Sequence, residues 1–172
     1  MKSRLISEVE TTFNDLYDKL NSFSQQELNE VPFEGSWTAG QVAEHIFKST
    51  GGLPVFFNGR TGKIQRPFDM NVAQIDAIFL DFTTKMKSPE FILPTENFYR
   101  KEDLLKTAEI IRNEITELTR HHELSDLCLD FEFPGTGHLT KYEWLRFAFA
   151  HTKRHTWQIG NILSAIKKTE TK

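Results

Sequence analysis

Apolar residues recur every three or four positions in four stretches of the chain, the period of an amphipathic α-helix. In the first, Leu5, Val9, Thr12, Phe13, Leu16, Leu20 and Phe23 form one stripe, and Glu8, Glu10, Asp15 and Lys19 lie on the other face. It fades into "SFSQQELNEVPFEGS", where Pro32 and Gly35 mark a loop. The second stretch begins at "WTAGQVAEHIFKS". Thr38 and Gln41 form a capping box there, and Trp37 and Val42 are placed to close a hydrophobic staple. This helix is predicted to run to about Phe57, with Gly51, Gly52 and Pro54 imposing a kink or an early stop. The third runs from about Lys101 to His121. Leu104, Ala108, Ile111, Ile115 and Leu118 form its buried stripe, and Glu102 and Asp103 suit the positive end of its dipole. The fourth starts at a second capping box, Thr140 with Glu143, flanked by the staple pair Leu139 and Trp144. It is predicted to reach about Lys167, where Lys167 and Lys168 suit its negative end.

The stretch from Asn58 to Arg100 is too long for a bare connection inside a bundle. Within it "MNVAQIDAIFLDF" has the spacing of a short helix, and "SPEFILPTENF", with two prolines, reads as an extended covering segment. Before the last helix, Leu127, Leu129, Phe131 and Phe133 alternate as in a short strand, but no partner strand follows them. With few strand signals and four long helices, the simplest packing is an all-α four-helix bundle in one domain, residues 1–172, elaborated between helices two and three.

Composition narrows the function classes. The net charge of −3 and the absence of a basic run argue against nucleic-acid binding through phosphate contacts. The charged start "MKSRLISEVETTF" is not a secretory signal, and no stretch is apolar enough to span a membrane. One cysteine, Cys128, excludes an intrachain disulfide framework. A soluble cytoplasmic protein is expected. Nothing near Cys128 lowers its pKa, so it is expected to pack with Leu127 and Leu129 rather than to act as a nucleophile.

The chemistry sits in "FAFAHTKRHTWQIGNIL". On a wheel of ~100° per residue, His155 lies about 40° from His151, and Trp144, Phe147, Ala148, Ile162 and Ile166 share their side. Two imidazoles thus occupy the middle of an apolar stripe, where each ring nitrogen must find a partner. Such a pair is either hydrogen-bonded and structural or converges on one metal ion, and the spacing does not choose. His45, which shares a face with Val42, Ser49, Gly52 and Phe56, is the candidate third ligand. Three inward histidines would leave a coordination position open, the arrangement of a catalytic rather than a structural site. His121 and His122 end the third helix near solvent, and His138 is expected to be an exposed loop residue or to line a pocket mouth.

"SWTAGQVAEHIFKS" together with "HLTKYEWLRFAFAHTKRHTWQIGNIL" resembles the DinB-like superfamily, including its YfiT-type metal-dependent hydrolases. The family's helical histidine and HxxxH pair fall on His45, His151 and His155, and "FLDFTTKMKSPEFILP" resembles its crossover. The resemblance spans about Leu5 to Ile166. It implies an up-down-down-up bundle and a divalent metal, zinc or nickel, held by the three histidines. It also implies homodimers and a small-molecule substrate. Two activities follow: hydrolysis by a metal-activated water, or S-transfer from a low-molecular-weight thiol. The alternatives are a non-enzymatic stress-response bundle binding a metal or small ligand, and a purely structural bundle. Gln158, about −20° on the same wheel, either orients a ligand or fills the bundle end. Glu44 points about 100° away from His45 and is not assigned as a base.

Overall fold

Burial follows the helical stripes. Leu5, Val9, Phe13, Leu16 and Leu20 of α1 (Lys2–Asn21) are buried, as are Val42, Ala43 and Ile46 of α2 (Ala39–Thr50). They face Leu104, Ile111 and Ile115 of α5 (Lys101–His121) and Leu145, Phe149, Ile159 and Ile162 of α6 (Lys141–Glu170). Two short helices, α3 (Leu53–Asn58) and α4 (Val72–Phe79), complete the α-helices among the described residues. The computed structural model describes residues 1–84 and 86–170. Lys85, inside the segment that resembles the family's crossover, lies outside the described residues, as do residues 171–172.

Long-range contacts fix the direction of each helix. Lys101 Nζ donates to the carbonyls of Asn21 and Phe23, and Lys2 Nζ donates to those of Arg120 and His122. The start of α5 therefore meets the end of α1, and the two are antiparallel. Glu8 pairs with Arg146 and Lys153, and Lys19 reaches Gly160, so α1 and α6 run parallel. His45 and Ser49 of α2 meet His155 and His151 of α6 in reversed order, so these two are antiparallel. The order is up-down-down-up. Two successive helices pointing the same way require the chain to travel back along the bundle, which is what residues 59–100 do.

The second predicted helix stops early. Gly51 caps α2, and the chain restarts as α3 with Pro54 in its first turn, where the missing N–H costs nothing. The predicted short helix in the crossover is α4, held to α6 by Asp76 and Arg146. "SPEFILPTENF" contains a single 3₁₀ turn, Glu90–Ile92. The predicted strand shrinks to β2 (Leu127–Cys128), and its partner precedes it: β1 (Thr61–Gly62), just after α3. Phe133 instead bridges to Gly137 in a tight turn with glycines at positive φ.

Both capping boxes form. That of α6 does more than start a helix. Glu143 has no exposed side-chain surface, and its carboxylate accepts from the Thr140 and Asn71 N–H groups and, bidentately, from Arg66 at 2.8 Å. Burial alone would raise its pKa. These donors outweigh burial and hold it below the usual carboxylate range. The same residue thereby sets the start of α6 and docks the segment leading into α4.

Candidate metal centre

The caps determine where the histidines fall. With α2 starting at Ala39, its buried side carries His45 and, one turn on, Ser49. With α6 starting at Lys141, His151 and His155 lie mid-helix on the side facing α2. Antiparallel packing brings the three rings together, with centroids 4.4–4.9 Å apart. One nitrogen from each lies within 4.8 Å of the others. His45 and His151 are 1% and 4% exposed, and His155 is half-buried. The cluster is thus closed on the bundle side and reachable past His155.

Each outer nitrogen has an acceptor. His45 Nδ1–H donates to the Ile92 carbonyl (2.9 Å), and His155 Nδ1–H to Gln158 Oε1 (2.8 Å). His151 Nδ1 is 3.0 Å from Ser49 Oγ, whose own proton has the Ile46 carbonyl within 2.8 Å. With that proton on Ile46, Ser49 accepts from His151 Nδ1–H. The Nε2 atoms of His45 and His151 are then 3.2 Å apart with both lone pairs turned toward each other, and His155, its Nδ1 committed to Gln158, has Nε2 left as its lone-pair donor. Converging lone pairs repel unless a cation lies among them, so this proton arrangement is the metal-ready one. Rotating the Ser49 hydroxyl onto His151 Nδ1 moves the ring proton to Nε2 and gives a His151–His45 hydrogen bond, the arrangement available without an ion.

The surroundings favour neutral imidazoles. Burial drives the His151 pKa well below its ordinary value, with His155 and His45 adding to the effect. Burial and the neighbouring His45 bring His155 to about 4 despite the bond to Gln158. His45 is lowered by burial, although its bond to Ile92 opposes this. Trp37 packs over His45, and Phe79 and Phe147 pack on His151, so apolar rings exclude water from that side. Neutral nitrogen donors that all point inward are the chemistry a borderline divalent ion requires.

The remaining candidates are elsewhere. Glu44 turns away from the cluster, as its wheel position predicts. Burial would raise its pKa, but bonds from Tyr99, the Thr95 N–H and Lys48 hold it at about 2. His121 is exposed beside Glu117. His122 is less open than expected, since its Nδ1 lies 3.2 Å from the buried Lys141 amine and its ring meets Phe57. His138 donates to the Phe131 carbonyl within its own turn. Cys128 is buried, and burial pushes its thiol up to about 11. Two partners of the cluster were not assigned from sequence. Ser49 had a signal, one turn beyond His45 on the same face. The Ile92 carbonyl had none, because a backbone group in a crossover leaves no pattern.

Known proteins resemble this chain in sequence and fold. An uncharacterized protein of Bacillus subtilis (strain 168), YuaE, is 21% identical over 158 residues, 90% of this chain and 94% of its own. The solved structure of YfiT from Bacillus subtilis, described as a probable metal-dependent hydrolase with an unusual four-helix bundle topology, superposes with a TM-score of 0.62. That match covers 96% of this chain and 87% of YfiT at 16% identity, and it establishes the fold. Residues 8–159 match the family model of the DinB superfamily, a span that includes both capping boxes and all three histidines, and the chain belongs to that superfamily.

Proposed function

We propose that this protein is a metal-dependent enzyme that acts on a small molecule, with His45, His151 and His155 as the protein ligands of one divalent ion. The observation that carries the proposal is the set of three outer-nitrogen acceptors, Ile92 O, Ser49 Oγ and Gln158 Oε1, which leave three neutral Nε2 atoms as donors in one cluster. The description of YfiT supports hydrolysis as the reaction class, and thiol S-transfer is the second chemistry open to the same site. A divalent ion there supplies Lewis acidity, which brings the pKa of a water or thiol toward neutrality. Imidazole donors suit zinc and nickel alike.

The protein's own part is orientation and exclusion. Ile92, Ser49 and Gln158 hold the ring tautomers, and Trp37, Phe79 and Phe147 keep the bundle side dry. The half-buried edge at His155 leaves the way in for substrate. Metal content of tag-free protein, measured by mass spectrometry, tests the first step. One equivalent of a divalent metal is expected in the wild type, with loss in His151→Ala and His155→Ala. Hydrolysis of model esters and amides, and thiol transfer to electrophiles, test the second. Equal rates for the wild type and His45→Ala would refute catalysis at this centre.

A further inference from the structure

The least constrained of the three acceptors is the Ile92 carbonyl. Ser49 and Gln158 sit on helices, whereas Ile92 ends a 3₁₀ turn in the crossover. What holds that carbonyl in place is a second stripe of α2. Lys48 Nζ donates to the Leu93 carbonyl (2.7 Å), and Glu44 accepts from the Thr95 N–H (2.6 Å) and from Thr95 Oγ1. The Tyr99 hydroxyl reaches the same carboxylate oxygen at 2.6 Å, and Lys48 pairs with Glu44 at 3.2 Å. Gln41 Nε2 adds a longer bond to the Thr95 carbonyl. At the top of the stripe the Tyr99 ring lies directly on Gly40, where an added Cβ would come within 2.6 Å of it. Gly40, Gln41, Glu44 and Lys48 all face the crossover, and His45 and Ser49, one step round the helix, face α6.

We infer that Glu44 and Lys48 are positioning residues for the metal centre: by clamping Leu93 and Thr95 they hold the Ile92 carbonyl against His45 Nδ1–H and so keep His45 Nε2 free to bind. The inference rests on the proposed three-histidine centre. The bonds are charge-assisted, and they grip the residue next to Ile92 and the one three along, so little slack separates clamp from acceptor. The stripe also explains an ionised glutamate beside a metal ligand that neither binds the metal nor acts as a base. Its work is on the loop.

The test compares Glu44→Gln, Lys48→Met and the milder Tyr99→Phe with the wild type in two measurements. Zinc affinity is read by chelator competition, and the His45 tautomer in metal-free protein by long-range ¹H–¹⁵N NMR. Partners behind a metal-bound histidine change affinity by roughly 10- to 100-fold, and the clamp lies one step further out, so about 3- to 10-fold weakening is expected. His45 should change from a pure Nδ1–H pattern to a mixture, and Lys48→Arg should restore both readouts. Lower melting temperatures with affinity and His45 tautomer unchanged would overturn the inference and leave the stripe as a structural staple. Absence of zinc binding by the wild type would instead refute the metal centre, and the His45 tautomer would still decide the clamp.

Discussion

Ser49→Ala isolates one hydrogen bond at the centre. In the metal-ready arrangement, the Ser49 oxygen accepts from His151 Nδ1–H at 3.0 Å, and His151 is 4% exposed, so no bulk water can replace it. Without an ion the variant has an escape, because the His151 proton can sit on Nε2 and bond to His45 Nε2, 3.2 Å away. Binding a metal removes that escape. The proton must return to Nδ1, where it meets the methyl group of alanine. A buried donor left unsatisfied costs about 1–3 kcal/mol; the metal-free variant also loses a partner at Nδ1, so the difference is about 1–2 kcal/mol, which at 1.4 kcal/mol per decade is roughly a 5- to 30-fold loss of metal affinity. Chelator competition with zinc measures it directly, with His45→Ala as the reference for loss of a ligand. The metal-free variant should melt somewhat below the wild type, since His151 Nδ1 then faces the methyl group with no donor, and the affinity reads the excess cost of the bound state. A Ser49→Ala affinity within twofold of the wild type would refute the tautomer argument, and with it the claim that the acceptors preorganise the site.

Two further outcomes follow from buried ionisable groups. Glu143→Ala strands Arg66, whose side chain is 22% exposed, and removes the cap of α6; a loss of about 3–5 kcal/mol is expected, seen as a melting temperature lower by roughly 6–20 °C, and a loss under about 1 kcal/mol would show that the pair is screened. The histidine cluster makes the metal-free protein acid-sensitive above the carboxylate range. The folded pKa values lie below the ordinary 6.5, with His155 at about 4, so as pH falls below 6.5 the unfolded chain takes up protons that the folded chain refuses. Stability should be level above about pH 7 and fall steadily from 6.5 toward 4. A melting temperature that holds or rises from pH 7 to pH 5 would contradict neutral burial of the cluster.

The sequence alone determined the helices and the identity of the cluster. Periodicity and two capping boxes are local properties, so Thr38–Gln41 and Thr140–Glu143 marked where α2 and α6 begin, and the wheel put His45, His151 and His155 on inward faces. Only the tertiary structure decided how those faces are used. The register of α2 against α6 set which nitrogen faces which, and it made Ser49 a partner of His151. The crossover delivered the Ile92 carbonyl to His45, a backbone group that no side-chain pattern announces. Strand β1 was missed for a related reason: two residues carry no periodicity, and Thr61–Gly62 is extended only because Leu127–Cys128 lies beside it. Helix formation and amphipathic burial are encoded within a few turns of chain. Tautomers, hydrogen-bond acceptors and short-strand pairing depend on segments distant in sequence, and they exist only once those segments are packed together.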